Sequence, residues 1–148
     1  PALIEATLVR RFSAGVDYTN AVMTEISANS SSTDEYWARM YEMSNDAQHP
    51  NRAHRRSERH RILGMAGSNA RFGAMLAVEQ ERLTVTLMDA ITVAQEKGWV
   101  RADLDPRAIA VFLQAYTLGR TVDDVAENHL DPEAWTALIK VVTGPLSA

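Results

Sequence analysis

The sequence predicts an all-α protein, a bundle of six helices in one domain. Three observations support this expectation. Apolar residues recur at three- and four-residue spacings over long stretches, alternating strand patterns are nearly absent, and helix-capping residues precede the apolar stretches. The 148 residues are 46% hydrophobic and 23% charged, which suits one folded domain with its own core. No linker or internal repeat divides them.

A polar break separates the first two predicted helices. Apolar residues at helical spacing predict a helix over about 2–27, and the polar run 29–33 ends it. Ser32 and Glu35 have the spacing of a capping box, in which the hydroxyl accepts a first-turn N–H. They predict a second helix over about 33–46.

Glycines mark the end of the third predicted helix. This helix begins near Pro50 and runs to Leu63 or Met65, and Gly64 and Gly67 close it.

The fourth predicted helix is the longest. Ser68 or Asn69 caps its start, and Gly98 follows its end as the C′ residue. Two apolar stripes predict that most of its circumference is buried. The main stripe comprises Phe72, Leu76, Leu83, Leu87, Ile91 and Ala94, and the stripe beside it comprises Met75, Val78, Val85 and Met88.

An Asp-Pro pair opens each of the last two predicted helices, because the carboxylate caps the first turn and proline is pre-organised at the first helical position. These helices are expected over about 106–126 and 132–143, and Gly144 and Pro145 stop the second of them.

The sequence contains none of the common catalytic or cofactor motifs. Zinc-protease, nucleophile-elbow, Walker and dinucleotide patterns are all missing, and no two histidines have metal-binding spacing on a helix. The absence of cysteine excludes disulfides and thiolate metal sites. We therefore expect a protein that is not an enzyme and has no cofactor or metal. No signal peptide or spanning apolar run is visible, so we expect a cytoplasmic location and no membrane partner.

The strongest charge feature is a basic block at the start of the third helix. It contains Arg52, Arg55, Arg56, Arg59 and Arg61, with Glu58 as its one acid, in a chain of net charge −4. Two interpretations stay open. The block is either a solvated helix face or a surface that faces phosphates or an acidic partner domain.

Three segments resemble bacterial tetracycline-repressor-like (TetR) transcriptional regulators. Residues 95–110, QEKGWVRADLDPRAIA, are similar to the passage ahead of that family's penultimate long helices. Residues 130–140, LDPEAWTALIK, resemble its closing helix, and the opening PALIEATL resembles the helix that leaves its DNA-binding head. The number and order of predicted helices also agree.

The resemblance implies an effector-binding and dimerisation domain. The family's N-terminal helix-turn-helix head is missing before Pro1, so the chain is either a fragment or part of a longer product, and operator DNA would be bound only through that head. In the resembled fold the third helix lies nearest the head, so the basic block would face it. Two alternatives remain, a helical dimerisation or partner-binding module without a ligand, and a small all-α enzyme.

The last two helices are expected to form a homodimer interface, since each carries more apolar surface than one core needs. The resemblance implies that two such helices from each subunit make a four-helix arrangement; the alternative is a thick core within a monomer. The residues predicted for this interface are Val111, Ala115, Leu118, Val122, Trp135, Leu138, Ile139 and Val142.

A mostly apolar pocket for a small hydrophobic effector is expected between the first, second, fourth and fifth helices, because bulky aromatic and flexible methionine side chains line such sites. Any one of these side chains could equally be plain core. The apolar candidates are Phe12, Trp37, Met40, Tyr41, Phe72, Met75, Leu76, Phe112 and Tyr116, with Glu79 and Gln114 as polar anchors.

Overall fold

A computed structural model describes all 148 residues and confirms the all-α prediction. Seven α-helices follow one another; a short 3₁₀ turn at Pro50–Arg52 joins the second to the third, and another at Gly144–Leu146 follows the last. No helix is both long enough and apolar enough to span a lipid bilayer. The α-helices are α1 (Ala2–Asn29), α2 (Thr33–Gln48), α3 (Ala53–Ser68), α4 (Ala70–Glu96), α5 (Pro106–Gly119), α6 (Thr121–Asp124) and α7 (Pro132–Thr143).

The predicted helix signals act locally as expected. Gly98 adopts φ +75° after α4, a conformation that favours glycine and ends the helix. Each predicted N-cap side chain accepts a hydrogen bond from a first-turn N–H. These pairs are Ser32 with Glu35, Asn69 with Phe72, Asp105 with Ala108 and Asp131 with Glu133.

Two predicted helix ends are wrong. Helix α3 continues through Gly64 and Gly67 to Ser68, because glycine inside a helix costs only about 1 kcal/mol and the surrounding apolar side chains still pack on the core. Helix α5 ends at Gly119 rather than near residue 126. There the buried side chain of Arg120 binds Asp123 at 2.6 Å, and the chain turns into the single-turn helix α6.

The core lies mainly between α1 and α4. All six residues of the main predicted stripe of α4 are buried, as the sequence predicts. The neighbouring stripe is not: Met75 and Val78 are exposed, so the first half of α4 is covered on fewer sides than predicted. The reason is that α1 and α3 cover this half of α4, while α5 packs further along it, near Gln80 and Glu81.

The corner between α3 and α4 holds the first turn of α1. A Cβ on Gly73 would lie 2.8 Å from the carbonyl oxygen of Ala66, so only glycine allows this close approach. The side chain of Glu5, which is buried, accepts a hydrogen bond from Asn69 at 2.8 Å and pairs with Arg71. The start of α1 is therefore fastened to the α3–α4 corner.

Candidate ligand-binding cavity

A cavity of about 240 Å³ lies among helices α1 to α5. The predicted site is bounded by the first, second, fourth and fifth helices, and in the structure α3 adds a further wall. The cavity is large for a packing defect, since an engineered void of about 150 Å³ already binds benzene.

Flexible and branched apolar side chains form most of the wall. They come from four helices and leave a surface that suits an apolar ligand body. The residues are Met23 of α1, Met40 and Met43 of α2, Leu83 and Leu87 of α4, and Leu113 and Leu118 of α5.

The α3 side of the cavity is basic. Arg52, Arg55, Arg56 and Arg59 all line it, because residues three, four and seven positions apart share one face of a helix. Arg61 lies outside the cavity and is exposed. Four of the five arginines of the basic block therefore border the cavity, although Arg55 is also exposed to solvent.

Arg56 is the most firmly held of these arginines. It is 4% exposed and binds both carboxylate oxygens of Asp124 at 2.7 Å. Its remaining terminal nitrogen donates to the carbonyl oxygens of Ala47 and His49 at 2.8 and 3.1 Å. These hydrogen bonds hold the pKa of Asp124 below its ordinary value of 3.8. All three guanidinium nitrogens of Arg56 are thus hydrogen-bonded within the protein.

Arg59 is held differently. Its guanidinium lies over the ring of Phe12, 5.0 Å from the centroid, and no carboxylate lies within ion-pair distance. Its buried Nε has no hydrogen-bond partner. Burial without a counter-charge lowers the pKa of this guanidinium. Arg59 therefore brings an unneutralised charge to the cavity wall.

The polar side chains on the α5 side of the cavity already have hydrogen-bond partners. Gln114 accepts from Gln80 at 2.6 Å and donates to Thr84 at 3.1 Å. The hydroxyls of Tyr116 and Ser44 lie 2.8 Å apart, and burial raises the pKa of Tyr116. These groups can orient a ligand only by exchanging an existing bond.

The structure brings three of the predicted pocket residues to this cavity: Met40, Gln114 and Tyr116. Trp37 and Tyr41 line a separate void of about 30 Å³, roughly the volume of one water. Their polar atoms are satisfied within the protein, since Trp37 donates to the carbonyl oxygen of Trp99 at 3.0 Å and Tyr41 accepts from Thr143 at 3.3 Å.

The other predicted pocket residues lie elsewhere. Phe12, Phe72 and Leu76 are buried in the core outside the cavity lining. Met75 and Phe112 are partly exposed, and Glu79 accepts hydrogen bonds from Arg82.

Sequence reasoning missed the arginines and most of the aliphatic lining. A signal was present for Arg59, which lies three positions before Ile62, a buried residue, and so on the same side of the helix. Arg56 lies six positions before Ile62, about 120° round the helix, so its burial could not be predicted in this way. Nothing in the sequence marks Met23, Leu83 or Leu87 as lining residues rather than core.

The predicted interface residues fall into three groups. Five of them, on α5, α6 and α7, are exposed: Val111, Ala115, Val122, Leu138 and Val142. Leu118 is half-buried and lines the cavity, Trp135 is half-buried, and Ile139 is buried.

Trp135 also borders an open depression of about 440 Å³ between the end of α2 and α7. Mostly polar side chains line this depression, so it would bury little of an apolar ligand.

The fold and cavity define an all-helical protein with a mostly apolar cavity that opens to solvent beside Tyr18 and Asp46 and has one basic wall. Comparisons with models of protein families, with curated proteins and with solved structures give no significant match.

The buried Arg56–Asp124 pair gives a test of the basic wall. Arg56→Met removes both short hydrogen bonds to Asp124, which keeps only Arg120 at 3.7 Å, and also the bond to the carbonyl oxygen of Ala47. We therefore expect the free energy of unfolding in urea to fall by about 3 kcal/mol. Arg61→Met, on the same helix but exposed, should change it by less than about 0.5 kcal/mol. Equal urea midpoints for the two variants would contradict this role of Arg56.

Because of the same ion pair, we expect the free energy of unfolding to depend on pH in the acid range. Because the pKa of Asp124 is lowered in the folded state, its contribution is complete above the ordinary carboxyl range and is lost as pH falls through the lowered value. Asp124→Asn should therefore show a weaker fall of stability below about pH 4 than the parent protein.

Proposed function

We propose that this chain is the effector-binding and dimerisation domain of a TetR-like transcriptional regulator. A small, mostly hydrophobic molecule would bind in the cavity and alter the binding of operator DNA by a helix-turn-helix head joined before Pro1. The observation that carries the proposal is the cavity itself, which lies among five helices and has mostly apolar walls. The resemblance of three sequence segments to that family and the agreement in helix order support it.

The arrangement of α1 and α3 supports a route from the cavity to the head. Arginines of α3 line the cavity, and the α3–α4 corner holds the first turn of α1 through Glu5. In the resembled family, the helix corresponding to α1 leaves the head and the one corresponding to α3 lies nearest to it. A ligand that shifts α3 would therefore change the orientation of a head attached to α1.

The coding sequence upstream of Pro1 tests the family assignment. We expect it to encode, in the same reading frame, a three-helix segment with a helix-turn-helix whose last helix runs into α1. A reading frame that encodes no such segment next to Pro1 would overturn the assignment to this family.

Filling the cavity tests ligand binding. Decanol, a neutral apolar probe, should raise the melting temperature of the protein, and Ala47→Phe should abolish this rise because the ring occupies the cavity. Ala38→Phe on the exposed face of the same helix should leave the rise unchanged. If neither decanol nor a panel of other hydrophobic compounds shifts the melting temperature, the cavity is not an effector site.

The exposed face of α5, α6 and α7 supports a homodimer. Val122 is 78% exposed, and Leu138 and Val142 are about half exposed, so each of the last two helices exposes large apolar side chains. A two-fold pairing of this face would cover it with the same residues of a second copy.

Sedimentation velocity at micromolar concentration tests the dimer. The parent protein should sediment as a dimer, and Leu138→Glu should dissociate it because a charge is buried in the paired face. Leu3→Glu is the control, because it changes a leucine that is also exposed but lies on α1, and this variant should remain dimeric. A monomeric parent protein would overturn the proposal, whereas a dimer that binds no ligand would favour the alternative of a dimerisation module.

A further inference from the structure

We infer that the ligand of this cavity is an amphiphilic organic acid, whose apolar body lies among the methionine and leucine side chains and whose anionic group pairs with Arg59. The inference rests on the proposed ligand-binding function and adds the chemical class of the ligand.

The charges around the cavity do not balance. Of the four arginines that line it, Arg52 binds Asp46 at 3.1 Å and Arg56 binds Asp124. Asp46 is the one acidic residue of the lining and is already engaged. Arg55 and Arg59 have no carboxylate partner, so the empty cavity carries two uncompensated positive charges on one wall.

Arg59 is the better placed of these two to receive an anion. Its side chain is largely buried between α3 and Phe12 of α1, whereas Arg55 is exposed. Water screens an exposed charge, but a charge in apolar surroundings attracts an anion strongly. The planar guanidinium presents two donors that match a carboxylate, so an acid group would offset the cost of burying Arg59.

The other walls of the cavity favour a ligand with an apolar body. The methionines and leucines on the α1, α2, α4 and α5 walls offer no hydrogen bonds, and Gln114 and Tyr116 already have partners. If benzene occupies a void of about 150 Å³, this cavity holds about ten carbon atoms. A ligand with one acid group and a hydrocarbon body of this length satisfies both the basic and the apolar wall.

Three probes with the same alkyl chain separate the effect of charge from the effect of hydrophobicity. Decanoate, decanol and decylammonium are titrated calorimetrically into the parent protein, Arg59→Gln and Arg61→Gln. We expect the parent protein to bind decanoate roughly ten- to a hundredfold more tightly than decanol, as a charge-assisted hydrogen bond allows, and to bind decylammonium most weakly.

The variants assign this preference to one residue. Arg59→Gln should bind decanoate and decanol equally, and its retained affinity for decanol shows that the cavity is intact. Arg61→Gln should keep the full preference, because this arginine lies outside the cavity. If Arg59→Gln does not fold, Arg59→Lys is used instead, and it should weaken the preference because the two-pronged contact is lost.

The outcomes distinguish failure of this inference from failure of the proposed function. Equal binding of decanoate and decanol by the parent protein would overturn the acid assignment while leaving the cavity a ligand site. A preference that survives Arg59→Gln would overturn the role of Arg59, and one that is undiminished in Arg59→Lys would overturn the two-pronged contact. If no probe binds and no hydrophobic compound shifts the melting temperature, the proposed function fails and this inference fails with it.

Discussion

The ion pair of Arg56 and Asp124 connects three segments that are distant in the sequence. Arg56 belongs to α3, Asp124 to the short helix α6, and the carbonyls of Ala47 and His49 to the end of α2. Because a buried guanidinium that loses its partners costs several kcal/mol, these parts cannot separate independently. The early end of α5 at Gly119 serves the same contact, since the following turn carries Asp124 to α3. The position of one wall of the cavity therefore depends on an ion pair as well as on the apolar packing of α3.

Within the basic block, the partner of each arginine decides its role. Arg52 and Arg56 lie opposite carboxylates and are neutralised, so they serve the architecture. Arg59 occupies the same helical face but meets an aromatic ring, and its charge stays uncompensated. The difference between these arginines depends on which acidic residues the neighbouring helices supply.

The features that sequence predicts well here are those fixed by neighbours in the chain. The caps at Ser32, Asn69, Asp105 and Asp131 depend on residues two or three positions away, and the main stripe of α4 follows from helical periodicity. The cavity depends on contacts between distant segments. Arg56 and Asp124 are 68 positions apart, and Trp37 and Trp99 are 62 apart. Most of the aromatic side chains predicted for the pocket therefore lie outside it, and protein groups bind the polar atoms of Trp37 and Tyr41. The cavity is lined instead by aliphatic residues that the sequence pattern does not distinguish from core residues.

Helix α5 links the cavity to the exposed face, and this gives the proposed function a second physical route. Leu113, Gln114 and Thr117 face the cavity, while Val111 and Ala115 on the same helix are exposed. A cavity deprives its lining of dispersion contacts, so α5 is less firmly seated along this side than a close-packed helix would be. In the proposed function, a ligand that fills the space would restore those contacts, and any shift of α5 that this caused would also move its outer residues. Ligand binding and pairing of two copies would then be coupled through one helix, and by linkage each would change the free energy of the other by the same amount.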